Sequence, residues 1–111
     1  MEFQSVPHSG VLVIELRGRL DSTTCDALEA EVRRQRQAGH ARIVFDLGAL
    51  EYISSAGMQV LMVAAREVRG NGSVALAAPM PQVKHVLDIA RMETFAKTYN
   101  TAAEAVEALA R

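Results

Sequence analysis

Residues 46–69, DLGALEYISSAGMQVLMVAAREVR, decide how the rest of the chain is read. An apolar strand ends in an acidic residue, a short loop carries the adjacent serines Ser54 and Ser55, and a glycine-bearing, methionine-rich helix follows. Just upstream, Ile43, Val44 and Phe45 form a continuous apolar run, the pattern of a central parallel strand covered by helices on both faces. Leu47 to Ile53 reads as the loop leaving that strand. Ser54 is placed to cap the next helix, because a serine hydroxyl can accept from the unpaired amides of a first turn, and Ser55 then falls within that turn. The helix should run to about Arg69 and stop at Gly70-Asn71-Gly72. At about 100° per residue, Gly57, Val60, Leu61, Ala64 and Val68 share an inward face. Met58, Gln59, Met62, Arg66 and Arg69 lie largely opposite. That outer face carries more methionine than a purely solvated one needs.

Working outward, Phe3–Pro7 and Val11–Gly18 read as two strands of a β-hairpin turning through His8, Ser9 and Gly10. Thr23 and Asp26 make a weak capping box, so a helix is expected from about Thr24. Its acids Asp26, Glu29 and Glu31 lie early and Arg33, Arg34 and Arg36 late, as the helix dipole favours, with Gly39 as its stop. The arginines are read as a solvated helix end, not as a nucleic-acid patch. Beyond the central helix, Val74–Ala77 reads as a short strand, Gln82–Ile89 as a helix with Val83, Val86, Leu87 and Ala90 inward, and Phe95–Tyr99 as a last strand. Thr101 and Glu104 form a T-x-x-E capping box before a helix over Ala102–Leu109. The order is two strands, helix, strand, helix, strand, helix, strand, helix. It predicts a single α/β domain over residues 1–111, with a mixed central sheet of about five strands and about four helices whose parallel pairs are joined by right-handed crossovers.

Composition narrows the function. The 12 basic and 13 acidic residues of this 111-residue chain give a formal net charge of -1, a balance unsuited to neutralising phosphates, so no nucleic-acid partner is expected. One cysteine, Cys25, allows no internal disulfide and no cysteine-rich metal site, which suits a reducing compartment. There is no basic-then-apolar leader and no apolar run long enough for a membrane span, so a cytoplasmic protein with no membrane partner is expected.

The serines at the junction invite a hydrolase reading, which requires a base in reach and an oxyanion hole. The local sequence lacks the G-x-S-x-G elbow, and His8, His40 and His85 fall in a turn, a helix-exit loop and a helix. The histidines also lack metal-ligand spacing, and Gly70-Asn71-Gly72 lacks the Lys and Ser/Thr of a phosphate loop. The chain is therefore read as no enzyme, with no catalytic residue, metal or cofactor. What remains is a serine at a helix N-terminus, where backbone amides and the dipole favour an added anion such as a phosphoryl group. The plainer alternative is that Ser54 only caps and Ser55 only fills the first turn.

Three sets of residues resemble the motifs of one family. Gly18-Arg19-Leu20-Asp21 is similar to G-x-L-D, Asp46-Leu47 with Leu50 and Ile53 to D-L-x-x-L-x-x-(I/M), and Ser54-Ser55-Ala56-Gly57 to D-S-S-G or D-S-T-G. Together they resemble the STAS domain of the bacterial anti-sigma factor antagonists, over essentially the whole chain. The resemblance implies a partner-switching cycle with two partners: an anti-sigma factor that is also a GHKL-type serine kinase, and a PPM-type serine phosphatase. It places the phosphorylated serine at Ser55, with Ser54 as the alternative. Asp21, Ser54, Gly57, Met58, Gln59, Met62 and Arg66 are the expected partner-binding residues, the methionines serving as adaptable apolar contacts unless they pack beneath a neighbouring element. Ser54 stands where the motif has Asp, Ala56 where it has a second Ser or Thr, and Arg91-Met92 where the family often has a glycine-containing turn. Loss of the motif aspartate motivates a second reading, an unphosphorylated STAS subunit of a signalling or transport complex.

Overall fold

The computed structural model describes all residues, 1–111. Strands β1 (Glu2–His8) and β2 (Val11–Leu20) form the antiparallel hairpin, followed by α1 (Cys25–Gln37), β3 (Arg42–Ile53), α2 (Ser55–Glu67), β4 (Ser73–Ala77), α3 (Pro81–Ile89), a 3-10 turn at Met92–Thr94, β5 (Lys97–Tyr99) and α4 (Ala102–Ala110). The hairpin turns on Ser9 and Gly10, both with positive φ, 51° and 80°, the backbone that matches strand twist in a two-residue loop.

The sheet order is β1-β2-β3-β4-β5, with β2 to β5 parallel. Because the strand order advances in one direction and each parallel crossover is right-handed, α1, α2 and α3 must all land on the same face. Leu28 and Val32 of α1, Val60 and Leu61 of α2 and Val83 and Leu87 of α3 accordingly share one core with Leu12, Ile14, Phe45 and Leu76. The other face is covered by α4 alone, over a smaller cluster of Val11, Val13, Val44, Ala75, Ala77 and Ala105. Ile43, Val44 and Phe45 are wholly buried, as expected of the central strand.

Two expectations are corrected. Leu47 to Ile53 is not a loop but the second half of β3, paired with β2 from Arg17↔Ala49 to Leu20↔Ile53. The register slips between Glu15 and Arg17 and again between Gly18 and Arg19, each time giving β3 one residue more than β2. These bulges bring Leu47, Leu50 and Ile53, three residues apart, onto the core face, a spacing that does not read as a strand. At α1 the Thr23/Asp26 box does not form. Thr24 is the N-cap residue with no side-chain cap bond, and Asp21 instead gathers Thr23.

Candidate functional site: the β3–α2 junction

β3 ends beside the exit of β2, and the two ends are bonded together. The Ser54 amide donates to the Leu20 carbonyl at 2.9 Å, directly beyond the Leu20↔Ile53 pair. Ser54 then caps α2 in an extended conformation, φ -94° and ψ 174°, its hydroxyl oxygen accepting from the Gly57 amide at 3.1 Å. Ser54 is half-buried. Ser55, the first helical residue, is exposed, and its hydroxyl takes part in none of the structure's hydrogen bonds. The first turn of α2 holds no acidic residue, so the positive end of this 13-residue helix meets no side-chain anion of its own.

Asp21 follows Leu20 and so stands at the same end of the sheet. Its carboxylate accepts from the Thr23 hydroxyl at 2.7 Å and the Thr23 amide at 2.9 Å, with Arg19 Nε 3.8 Å away. The Thr23 bonds, hydroxyl before amide, hold its carboxyl below the usual 3.8 against the opposing effect of desolvation, with Arg19 and Thr24 assisting. The Asp21 amide in turn donates to Thr24 Oγ1, which donates to the Arg19 carbonyl, fixing the turn into α1.

Of the expected contact residues on α2, Gln59 and Arg66 are exposed and Met62 is half-buried against the core. With Ser55 they fall at intervals of four, three and four, one stripe along the helix. Gly57 is buried against Leu20, and Met58 is not a surface contact. It is 5% exposed and belongs to the main core. α2 is the middle of three helices on this face, so its buried arc is wide. Met58 extends that arc with Leu61, Ala65 and Val68 at i+3, i+7 and i+10.

Arg19 and Tyr52 border the junction, and no sequence motif assigns either a role. The guanidinium lies 4.1 Å from the centre of the Tyr52 ring, and Tyr52 is 40% exposed. Their pairing depends on the second bulge, so residue spacing does not reveal it. The histidines sit on separate elements, His8 ending β1, His40 following α1 and His85 on α3. No helix is long and apolar enough to cross a membrane.

This architecture is that of a known class. The family model for the STAS domain matches residues 2–105. The chain belongs to the STAS-domain family of anti-sigma factor antagonists. It is 40% identical over 81 residues to BtrV of Bordetella bronchiseptica, a protein named for an inferred anti-sigma factor antagonist role, covering 72% of this chain and 70% of that one. It is 26% identical over 113 residues to the anti-sigma F factor antagonist of Paenibacillus polymyxa, covering 98% and 95% of the two chains. Among solved structures, an anti-sigma factor antagonist from Mycobacterium paratuberculosis superposes with a TM-score of 0.92 at 22% identity, over 99% of this chain and 94% of the other. The Bacillus cell fate determinant SpoIIAA in its phosphorylated form does so with a TM-score of 0.74 at 22% identity, over 96% and 97%. These two likenesses are of fold.

Proposed function

We propose that the protein is an anti-sigma factor antagonist that works by partner switching. Unmodified, it binds an anti-sigma factor that is also a GHKL-type serine kinase and so frees that factor's client. The kinase transfers the γ-phosphoryl group of ATP to Ser55, forming the Oγ–P bond, releasing ADP and the hydroxyl proton, and ending the complex. A PPM-type phosphatase hydrolyses the phosphoserine and resets the cycle. The relatives named as anti-sigma factor antagonists support the first step, and the second rests on the junction itself.

The observation that carries the assignment to Ser55 is the division of labour between the two serines. The Ser54 oxygen is committed to the Gly57 amide, and giving up such a cap costs about 1 kcal/mol. Ser55 is exposed and free of bonds. Phosphorylation adds roughly 1.5 to 2 negative charges, and at the first turn of α2 the backbone amides and the dipole accommodate them without melting the helix. The charge would be read by the partner at the head of the Ser55, Gln59, Met62 and Arg66 stripe. Ser54 takes over the capping task of the motif aspartate but not its charge.

Ser55→Glu tests the reading. Affinity for the kinase should fall with little change in melting temperature, while Ser55→Ala keeps binding and loses the switch. Equal binding by Ser55→Glu and the unmodified protein would favour a constitutive interaction subunit.

A further inference from the structure

The sheet face that carries α4 is only partly covered. α4 packs over β3 and β4 and reaches β2, leaving the outer, β1 side of that face open as a groove of about 830 Å3 between α4 and the β1–β2 hairpin. Val6 and Val13 form its floor and Val106 with alanines of α4 its wall. Glu15 and Asp46 also line it. They are register partners on adjacent parallel strands, half-buried, and neither is in an ion pair.

Like charges set side by side across a sheet repel and weaken the pairing. Asp46 satisfies one oxygen with the Gly48 amide at 3.0 Å, a neutral donor that leaves the charge in place. Arg17 borders a smaller recess beside the same carboxylates without pairing with either. Of the other ionisable groups lining the groove, Glu107 and Arg111 neutralise one another at 3.1 Å, and His8 stands at the hairpin turn opposite Val11, four residues along β2 from Glu15. The groove therefore has an apolar body and an uncompensated anionic end.

We infer that this groove binds a small organic cation, an ammonium or guanidinium carried on an apolar body. The apolar part would lie on Val6, Val13 and Val106, and the cationic head would sit between Glu15 and Asp46, relieving their repulsion through charge-assisted hydrogen bonds. The volume falls within the roughly 300–1,000 Å3 of small-molecule sites. A few valines and alanines offer much less than the roughly 800 Å2 per partner that a stable protein interface buries, which favours a small ligand over a docked chain. The site lies on the opposite face from α2, so it is independent of the Ser55 switch.

Titrating octylammonium into the isotopically labelled protein, with octanoate and octanol as controls, tests this by chemical-shift mapping. Saturable shifts at Val6, Val13 and Val106 with octylammonium, absent with octanoate, are expected. Glu15→Gln should weaken the binding about tenfold, the effect of one lost charge-assisted contact, and Glu15→Gln with Asp46→Asn should abolish it while leaving the rest of the spectrum unchanged. Equal binding of octanoate, no saturable shift at millimolar amine, or groove signals that move with protein concentration alone, meaning that a second copy fills the groove, would each overturn the inference.

Discussion

Gly57 lies so close against Leu20 that a Cβ at position 57 would stand 2.7 Å from both the Leu20 Cγ and its carbonyl oxygen. That carbonyl is the acceptor for the Ser54 amide, so one contact holds the start of α2 against the end of β2. Gly57→Ala should cost about 1–3 kcal/mol, as overpacking does, and should disturb the amide signals of Ser54 and Ser55. Denaturant unfolding with amide spectra checks both.

Ser54 should be replaceable by the motif's aspartate. Either side chain can accept from the Gly57 amide, and a carboxylate suits a helix N-terminus, so Ser54→Asp should leave stability within a few tenths of a kcal/mol or raise it. Ser54→Ala should lose about 1 kcal/mol. Thermal unfolding of the pair separates capping from any part in recognition.

Acid should act on Glu31, which is 7% exposed and ties α1 to β1. Burial raises its carboxyl, but bonds from the Ser5 hydroxyl at 2.6 Å, from Gln35 at 3.0 Å and from Arg34 together outweigh it and hold the group below the usual 4.5. A depressed folded value means that the stabilisation is present in full above 4.5 and is lost as pH falls through the lower folded value. Glu31→Gln should therefore be less stable by about 1.5–3 kcal/mol at neutral pH, the range for hydrogen bonds to a charged group. The gap should narrow below pH 4.5, and urea midpoints across the acid range measure it.

Arg91 occupies left-handed backbone, φ 55° and ψ 46°, between α3 and the 3-10 turn. Such a conformation costs a residue with a Cβ about 1–2 kcal/mol, part of which glycine returns through its freer unfolded chain. Arg91→Gly should then stabilise by roughly 0.5–1 kcal/mol, visible as a higher melting temperature.

Much of this could be read in the sequence because local and long-range signals agreed. The apolar run at Ile43, Val44 and Phe45, the Ser54 cap and the Thr101 cap, which accepts from the Glu104 amide at 3.1 Å, all formed as expected. The second half of β3 did not show because two bulges set its apolar residues three apart. Periodicity puts Met58 on the outer face of α2 because it gives the direction of a face but not how wide neighbouring helices make it. The Arg19 and Tyr52 contact and the α4 groove depend on register and on which faces the crossovers leave open, and no local pattern encodes either.

The most direct test of the central claim is to recover the kinase with the unmodified protein, incubate the two with ATP and locate the phosphate by mass spectrometry. A single phosphoryl group on Ser55, unaffected by Ser54→Ala and abolished by Ser55→Ala, is predicted. Phosphate on Ser54, or no modification of either serine by a kinase that binds the protein, would contradict it.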